Sequence, residues 1–195
     1  MSVTYPIKTR KELEEMKNYY AVVKPNPRNY TLIVIGLNTA FRIGDLLRLQ
    51  WKHIYQEESQ SFRNHICMME QKTDKMRIVP INSALQTALS SYYSQCRRTA
   101  PEDYLFASMH NKEEPISRYQ AFRIIKEAAV ASGMAEHVSC HSLRKTFGYY
   151  AWQQGASPVL LMDLYNHSSF QITKRYLGIE QDERDALYPV SYTHL

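Results

Sequence analysis

The chain has 195 residues, enough for one domain with a real core, and its 44% hydrophobic and 22% charged residues exclude collagen-like, disordered and low-complexity proteins. Its longest apolar run is too short to cross a bilayer, and its first ten residues lack the pattern of a secretory signal. The 24 Lys and Arg against 19 Asp and Glu give a net charge of +5, which favours an anionic partner such as nucleic acid.

The first part of the chain predicts three helices. Thr9-Arg10-Lys11-Glu12 has the pattern of a capping box, so we expect an amphipathic helix to follow to about Val22. Pro25-Asn26-Pro27 breaks that helix. Further helices are expected over about residues 28–38, which are rich in aliphatic side chains, and over about residues 42–50.

A β-hairpin is expected next. Residues 65–69 have strand composition, residues 72–75 form a turn, and residues 76–80 form the returning strand. Residues 104–106 predict a short strand at best. The turn residues are polar and the flanking runs are apolar, which is the usual hairpin pattern.

The rest of the chain predicts helices whose starts carry capping residues. Their approximate bounds are Asn82 to Arg98, Ser117 to Gly133, His141 to Gln154, Ser157 to Tyr165, Ser168 or Ser169 to Leu177, and Asp182 to Tyr188. The predicted fold class is therefore mainly α with a small antiparallel β-sheet (α+β). We expect a single domain over residues 1–190, and residues 191–195 to be a disordered end or a cloning remnant.

The cysteine pattern indicates a reducing compartment. Cys67, Cys96 and Cys140 are odd in number and widely spaced, and they include no CxxC pair. This argues against a disulfide scaffold and against a zinc site, and it fits the cytoplasm. We expect no metal ion and no other cofactor.

Several polar residues of types that can take part in catalysis lie among apolar neighbours. Taken singly, each has an ordinary structural explanation, such as a solvated helix start or a half-buried packing tyrosine. They are Arg42, Lys72, His141, Arg144, His167 and Tyr176.

Together these residue types suit attack of a phenol on a phosphodiester. Arg42 and Arg144 can clamp the non-bridging oxygens, where negative charge concentrates in the transition state. His141 and His167 can donate hydrogen bonds or move protons near neutral pH. A hairpin lysine can protonate the leaving oxygen, and Tyr176 can be the nucleophile if the cations favour its anion.

In their order and flanks, these residues resemble the catalytic domain of the tyrosine recombinases, also called phage integrases. Ala40-Phe41 replaces the family's usual Gly-Leu, and Asn166 replaces a Gly, but neither change removes a functional group. The matching segments are Thr39–Leu46 with Leu49-Gln50-Trp51, Gln71–Lys75 with Arg77–Pro80, His141–Thr146, Tyr165–Ser169 and Thr173–Leu177.

The resemblance implies a mechanism and a role for each residue. Tyr176 would form a 3′-phosphotyrosyl bond and free a 5′-hydroxyl, while Arg42, Arg144 and His167 stabilise the transition state. His141 would assist the tyrosine proton. Lys72 would protonate the leaving oxygen, although Lys75 is close enough to compete for that role. Asp45 is either a carboxylate that orients the site or a solvated helix residue.

The resemblance also implies double-stranded DNA as the partner. It places a groove-facing helix after Ser117, with Arg118 the best candidate for a base contact and Arg123 and Lys126 as further contacts. Lys75, on the hairpin, is a further candidate DNA contact. The alternative is that these side chains form a solvated face. A segment after the nucleophile, residues 182–188 here, would pack onto a neighbouring subunit in a tetramer on DNA.

Two other functions remain open at this point. A type IB topoisomerase uses the same residue plan to relax DNA, and a non-catalytic DNA-binding remnant would keep the fold alone. Only about forty residues precede Arg42, so we expect the family's separate core-binding domain to be absent, in a fragment or in a short form.

Overall fold

The fold is described from a computed structural model that covers residues 4–96, 99–109, 111, 113–134 and 138–179. The helices are α1 (Arg10–Asn18), α2 (Pro27–Thr39), α3 (Ile43–Leu47), α4 (Ser83–Tyr93), α5 (Arg118–Ala131), α6 (Cys140–Gln153), α7 (Pro158–Tyr165) and α8 (Phe170–Leu177). A π-helical turn, Tyr19–Val23, continues α1, and a 3₁₀ turn covers Trp51–His53. The strands are β1 (Tyr55–Gln56), β2 (Ser61–Phe62), β3 (His65–Met69) and β4 (Met76–Pro80).

The predicted fold class is confirmed, since the chain is mainly helical with two small antiparallel sheets. Two helices are shorter than expected, because α3 ends at Leu47 and α4 ends at Tyr93. The β1–β2 hairpin was not predicted. The helix expected over residues 182–188 and the tail 191–195 lie outside the described residues.

Side-chain caps explain where most helices begin. Each capping oxygen accepts a backbone N–H of the first turn, which satisfies a donor that has no partner inside the helix. Proline at the first helical position of α2 and α7 adds a backbone angle already suited to a helix. The capping residues are Thr9, Asn26, Asn82, Ser117, Ser139, Ser157 and Ser169.

The β3–β4 hairpin has the predicted strands and turn. His65 pairs with Pro80 and Met69 pairs with Met76 across the antiparallel register. Burial alternates along β3, so Ile66 and Met68 face the core while their neighbours face solvent. The same alternation places residue 70, one position beyond the strand, on the core side, and Glu70 is buried there.

Two apolar clusters organise the molecule. The larger one surrounds α2, whose Leu32, Ile33 and Ile35 are fully buried. The smaller one joins α6, α7 and α8 and includes Tyr165 and Leu177. Helix α6 contacts α2, α7 and α8, and therefore connects the two clusters.

A glycine lets the three C-terminal helices approach closely. A Cβ atom at Gly148 of α6 would collide with the hydroxyl of Tyr165 and with Leu177. Glycine therefore brings α6 against α7 and α8, the helices that carry or flank the candidate nucleophile. In the described part of the chain, no helix is long and apolar enough to cross a membrane.

Candidate active site

Arg144 is the buried centre of the candidate site. Its side chain projects from the second turn of α6, and the residue is only 4% exposed. One guanidinium nitrogen donates to the carbonyl oxygen of Ala40, and the guanidinium lies 4.8 Å from the ring centroid of Tyr165. Burial lowers the pKa of Arg144, and the neighbouring Tyr176 acts in the opposite direction. An arginine still keeps its charge at any working pH, so the site contains a fixed buried cation.

The Ala40 turn aims that carbonyl at Arg144. Ala40 ends α2 in the left-handed conformation, with φ 54° and ψ 18°. The family pattern has glycine here, and a residue with a Cβ pays an energetic penalty in this conformation of about 1–2 kcal/mol. The departure noted in the sequence therefore preserves the turn but strains it.

Tyr176 lies among the aromatic rings of the smaller cluster. It stands on the last turn of α8, with its ring centroid 5.2 Å from that of Tyr165 and 5.2 Å from that of His167. The guanidinium of Arg144 packs on the same Tyr165 ring, 4.8 Å from its centroid. The candidate nucleophile and the buried cation are therefore neighbours on either side of Tyr165.

The phenol of Tyr176 is neutral in this DNA-free site. Burial raises the pKa of Tyr176, although the charge and hydrogen bond of Arg144 and the charge of Arg42 lower it. The cations favour the anion, as the sequence analysis requires, but burial outweighs them. The phenol is therefore protonated at neutral pH, and its proton has to be transferred for the attack.

Arg42 is held at the site by a buried carboxylate. It immediately precedes α3, and its guanidinium donates to Glu70 Oε2 at 3.1 Å. Glu70 also accepts hydrogen bonds from Arg77, at 2.9 Å, and from Thr73, at 2.7 Å. Burial alone would raise the pKa of Glu70, but these hydrogen bonds and the charges of Arg77 and Arg42 hold it below its usual range.

Arg77 links the hairpin to α7. Besides its bonds to Glu70, its guanidinium donates to the carbonyl oxygen of Leu164 at 2.7 Å. Leu164 lies in the last turn of α7, just before the loop that carries His167. Arg77 therefore connects the support of Arg42 with the support of His167.

His167 follows a left-handed turn at the end of α7. Asn166 occupies that turn with φ 57° and ψ 48°, a conformation that asparagine tolerates better than most residues, which explains why it can replace glycine. The Nδ1 of His167 is hydrogen-bonded to Thr173 Oγ1 at 3.1 Å, and its ring stacks on Tyr165. Burial first, and then the charges of Arg144 and Arg42, lower the pKa of His167.

His141 lies one turn before Arg144 at the start of α6. The residue is exposed, so it faces the open side of the site. Desolvation, followed by the charges of Lys145, Arg144 and Arg42, lowers the pKa of His141. A neutral imidazole at physiological pH can accept a proton, which is the role suggested for it.

The two hairpin lysines occupy different positions. Lys72 is exposed in the turn, and Asp45 fixes the turn beside it by accepting the N–H of Gln71 at 2.9 Å. Asp45 is 2% exposed and is therefore no solvated helix residue. Lys75 donates to Asn166 Oδ1 at 3.3 Å, which places it beside the His167 loop.

The basic residues of α5 point in two directions. The guanidinium of Arg118 lies over Gly44 in α3, where an added Cβ would come within 2.6 Å of it. Arg118 is therefore beside the Arg42 end of the site. Arg123 and Lys126 instead line a groove of about 760 Å³ that Tyr19 and Arg28 border on the other side.

The structure thus brings Arg42, Arg144, His167 and Tyr176 together, with His141 exposed beside them and Lys75 against the His167 loop, whereas Lys72 points into solvent from the hairpin turn. Sequence reasoning missed Glu70 and Tyr165 as supports of the site. The sequence did contain a signal for Glu70, because this residue continues the alternation that places every second side chain of β3 in the core. Tyr165 gave no local signal, since its contacts join residues far apart in the chain.

The geometry offers an anion site beside a phenol. The charges of two guanidiniums, the buried Arg144 and the Glu70-paired Arg42, act on the Tyr176 hydroxyl, and two histidines with lowered pKa values lie nearby. Such an arrangement can bind a phosphate and stabilise added negative charge on its oxygens. Among the residues that the structure describes, no group of three His, Cys, Asp or Glu side chains is placed to hold a metal ion.

Solved recombinases share this fold. The chain superimposes on XerA recombinase with a TM-score of 0.74 at 21% identity, covering 97% of this chain and 65% of that one. The XerH site-specific recombinase, solved with a palindromic difH substrate, gives a TM-score of 0.70 at 18% identity, covering 96% of this chain and 53% of XerH.

Sequence comparison gives nearer relatives. The probable integrase/recombinase YoeC of Bacillus subtilis is 37% identical over 190 residues, which are 97% of this chain and 98% of YoeC. The tyrosine recombinase XerD of Staphylococcus aureus is 24% identical over 165 residues, 83% of this chain but about half (53%) of XerD. The phage integrase family model matches residues 9–183, so the resemblance is confirmed and the chain belongs to the phage integrase family of tyrosine recombinases, enzymes that cleave and rejoin DNA strands.

Proposed function

We propose that this chain is a site-specific DNA recombinase in which Tyr176 attacks the scissile phosphate of duplex DNA. The observation that carries the proposal is that the buried Arg144 guanidinium and the Tyr176 ring pack against the same side chain, Tyr165. It pairs a nucleophile with a group suited to hold the phosphate under attack. The family assignment supports the same reaction.

In the first step, the bond from Tyr176 Oη to phosphorus forms and the bond from phosphorus to the 5′-oxygen breaks. The DNA keeps a 3′-phosphotyrosyl link, and the other fragment leaves with a 5′-hydroxyl. Attack by that hydroxyl, or by one from a partner strand, reverses the chemistry. The ester bond is conserved at each step, so the exchange requires no ATP.

Arg42 and Arg144 carry the electrostatic part of the proposal. Their guanidiniums bind the non-bridging oxygens, and His167 donates a further hydrogen bond as charge accumulates. Because Arg42 is bonded to Glu70, and Arg144 to the Ala40 carbonyl, both are oriented before DNA arrives. Preorganised donors of this kind are often the largest contribution to catalysis.

Two proton transfers complete the step. His141 takes the phenol proton, for which its lowered pKa suits it, because a neutral imidazole has a vacant nitrogen. Lys72 gives a proton to the 5′-oxygen as it leaves. Lys75 is the alternative donor, and its bond to Asn166 keeps it beside the His167 loop.

Helix α5 is the proposed DNA-contacting surface. Its exposed Arg118 lies at the Arg42 end of the site, while the exposed Arg123 and the half-buried Lys126 line the separate groove. With the exposed Tyr119 and Phe122, they give the helix the mixture of cations and aromatic rings that suits a nucleic-acid contact. Each phosphate neutralised would contribute about −0.9 to the log–log slope of affinity against salt.

Assembly and location are part of the same proposal. We infer that copies assemble as a tetramer on DNA through residues 182–188, a segment outside the described residues. A lambda integrase dimer has been solved on a COC′ core site, which supports assembly on DNA. We place the protein in the cytoplasm, because the odd number and wide spacing of Cys67, Cys96 and Cys140 argue against a disulfide scaffold.

The test uses a pool of duplexes with randomised sequence, each carrying a nick that lets the 5′-hydroxyl fragment diffuse away. The wild-type protein is incubated with the pool, and covalent adducts are isolated under denaturing conditions and sequenced. We expect a narrow set of related sequences. Tyr176→Phe should bind the same duplexes without forming an adduct.

The outcomes separate the competing functions. No adduct with any duplex, although the protein binds DNA, contradicts the recombinase and favours a non-catalytic DNA-binding protein. Adducts with no sequence preference, together with efficient relaxation of a supercoiled plasmid, favour a topoisomerase. An adduct formed by Tyr176→Phe shows that another residue is the nucleophile.

A further inference from the structure

Lys145 contacts the candidate nucleophile from the residue next to Arg144. Its Nζ lies 5.0 Å from the ring centroid of Tyr176 and donates a hydrogen bond of 2.5 Å to the carbonyl oxygen of Thr4. Burial lowers the pKa of Lys145, because the ammonium has lost part of its hydration. The ammonium is thus held between a carbonyl and an aromatic face, both of which favour a cation.

Its carbonyl partner belongs to an extended segment, residues 4–8, which we call the N-terminal strap. The backbone N–H of Ile7 donates to Thr146 Oγ1 at 2.8 Å, and this bond is buried. The hydroxyl of Tyr150 donates to the carbonyl oxygen of Lys8 at 2.9 Å. These bonds fasten the strap along α6.

The strap also reaches the helix that carries Tyr176. The Nζ of Lys8 donates to the carbonyl oxygen of Gly178 at 3.0 Å. Gly178 ends α8 in the left-handed conformation, two residues after Tyr176. The strap therefore joins α6 to the end of α8.

The ring of Tyr176 depends on such contacts for its orientation. Helix α8 has eight residues, so it gains little rigidity from its own backbone hydrogen bonds. Tyr165 and His167 contact the ring from α7 and the following loop, and Lys145 contacts it from α6. A rotation of the ring would move the hydroxyl away from Arg144, and a misplaced nucleophile loses much of its rate.

We propose that Lys145 is a positioning residue for Tyr176: its ammonium, held by the strap, fixes the ring so that the hydroxyl faces the phosphate site. The inference rests on the proposed function, in which Tyr176 attacks DNA. It adds that the N-terminal strap is connected to the nucleophile through the side chain of Lys145. The other cations near the ring, Arg144 and Arg42, act on the hydroxyl and the phosphate instead.

The first experiment needs no DNA. Every tyrosine is replaced by 3-fluorotyrosine, and Tyr176→Phe identifies the Tyr176 resonance in the ¹⁹F NMR spectrum. Lys145→Met should shift or broaden that resonance, and Lys145→Arg should leave it close to its wild-type position. Lys174→Met is the matched control, because Lys174 Nζ lies 5.2 Å from the ring centroid of Phe170 on the same helix. An unchanged Tyr176 resonance in Lys145→Met overturns the proposal.

The second experiment measures single-turnover cleavage of a nicked duplex captured by the wild-type protein. Lys145→Met should lower the cleavage rate at saturating DNA by about 10-fold, because a buried cation–π contact that orients the nucleophile is lost. The dissociation constant for DNA should not change, and Lys145→Arg should restore most of the rate.

Each outcome has one meaning. A weaker dissociation constant with a normal saturated rate makes Lys145 a phosphate ligand and overturns the positioning role. A wild-type protein that cleaves no DNA overturns the proposed function, while the ¹⁹F spectra still report whether Lys145 holds the ring. Thermal melting of each variant establishes that a lost rate is not a lost fold.

Discussion

The hairpin and the α6–α8 cluster both supply cations to the site, but they hold them in opposite ways. In the α6–α8 cluster, Arg144 is buried, bonded to a carbonyl and stacked on Tyr165. In the hairpin, Glu70 and Asp45 anchor the base and the turn, while Lys72 projects into solvent. The proposed phosphate ligand Arg144 is thus held by buried contacts, whereas the proposed proton donor Lys72 is exposed to solvent.

The largest expected effect is on the buried side. Arg144→Ala should lower DNA cleavage by about 10³-fold, because it removes a preorganised donor at the phosphate. It should also destabilise the fold by about 1–3 kcal/mol, since the Ala40 carbonyl loses its buried partner. Single-turnover cleavage and thermal melting measure the two effects.

Arg144→Lys sharpens that prediction. A lysine keeps the charge but lacks the planar fork with which Arg144 can bind the Ala40 carbonyl and a phosphate oxygen at the same time. We expect cleavage to stay strongly impaired although DNA is still bound. Near-normal cleavage by either variant would exclude Arg144 from the phosphate site.

For the exposed Lys72 of the hairpin, we expect a smaller loss of cleavage rate and no loss of stability. Lys72→Ala should lower cleavage by about 10²-fold, the usual contribution of a general acid. A substrate with sulfur at the 5′-bridging position should restore the rate, because a thiolate leaves without a proton at pH near its pKa of about 8.5. Lys75→Ala is the matched control and should lose little. If sulfur rescues Lys75→Ala instead, then Lys75 is the donor.

The anchor of the hairpin predicts an effect mainly on stability. Glu70→Gln keeps the size of the side chain but removes the charge shared by Arg42 and Arg77, so it should cost about 1–3 kcal/mol. Because the folded protein holds the pKa of Glu70 below its ordinary value of 4.5, this stability is present above pH 4.5 and is lost as the pH falls.

Melting curves from neutral to acid pH measure the difference between the two proteins. The difference in stability between the wild type and Glu70→Gln should become smaller towards acid pH. Glu58→Gln, on an exposed loop, is the control and should melt like the wild type at every pH. A gap that is constant or widens with acid contradicts the charge-based support of Arg42.

The smallest effect concerns the two histidines. Burial and the neighbouring cations lower the pKa of both His141 and His167. Their NMR titrations in the protein without DNA should therefore have midpoints below 6.5, the ordinary value for histidine, with His141→Gln and His167→Gln assigning the signals. Midpoints at or above 6.5 indicate that the site is more hydrated than the structure describes.

The sequence predicted those features that depend on neighbours in the chain. Helices with Ser, Asn or Thr caps were placed well, as α7 and α8 illustrate, because capping is a local interaction. The β1–β2 hairpin was missed, since two-residue strands have no periodicity to detect. The helix α3 was predicted, but its end was placed too late, because its apolar residues continue past the point where the helix ends.

For the site, the sequence supplied the reacting groups and their order but not their supports. Arg42 and Tyr176 could be named from motifs, whereas Glu70, Tyr165 and Lys145 act through contacts between distant segments. Lys145, for example, is bonded to Thr4, 141 residues away. Such partners depend on the packing of α6 against the strap and α8, which no local pattern encodes.

The central claim is that one of the 15 tyrosines, Tyr176, becomes covalently bonded to the DNA strand. The most direct measurement is mass spectrometry of the covalent adduct after protease and nuclease digestion. The account predicts a nucleotide attached through its 3′-phosphate to Tyr176, in the peptide that follows His167. A nucleotide on any other residue, or one attached through its 5′-phosphate, would contradict it.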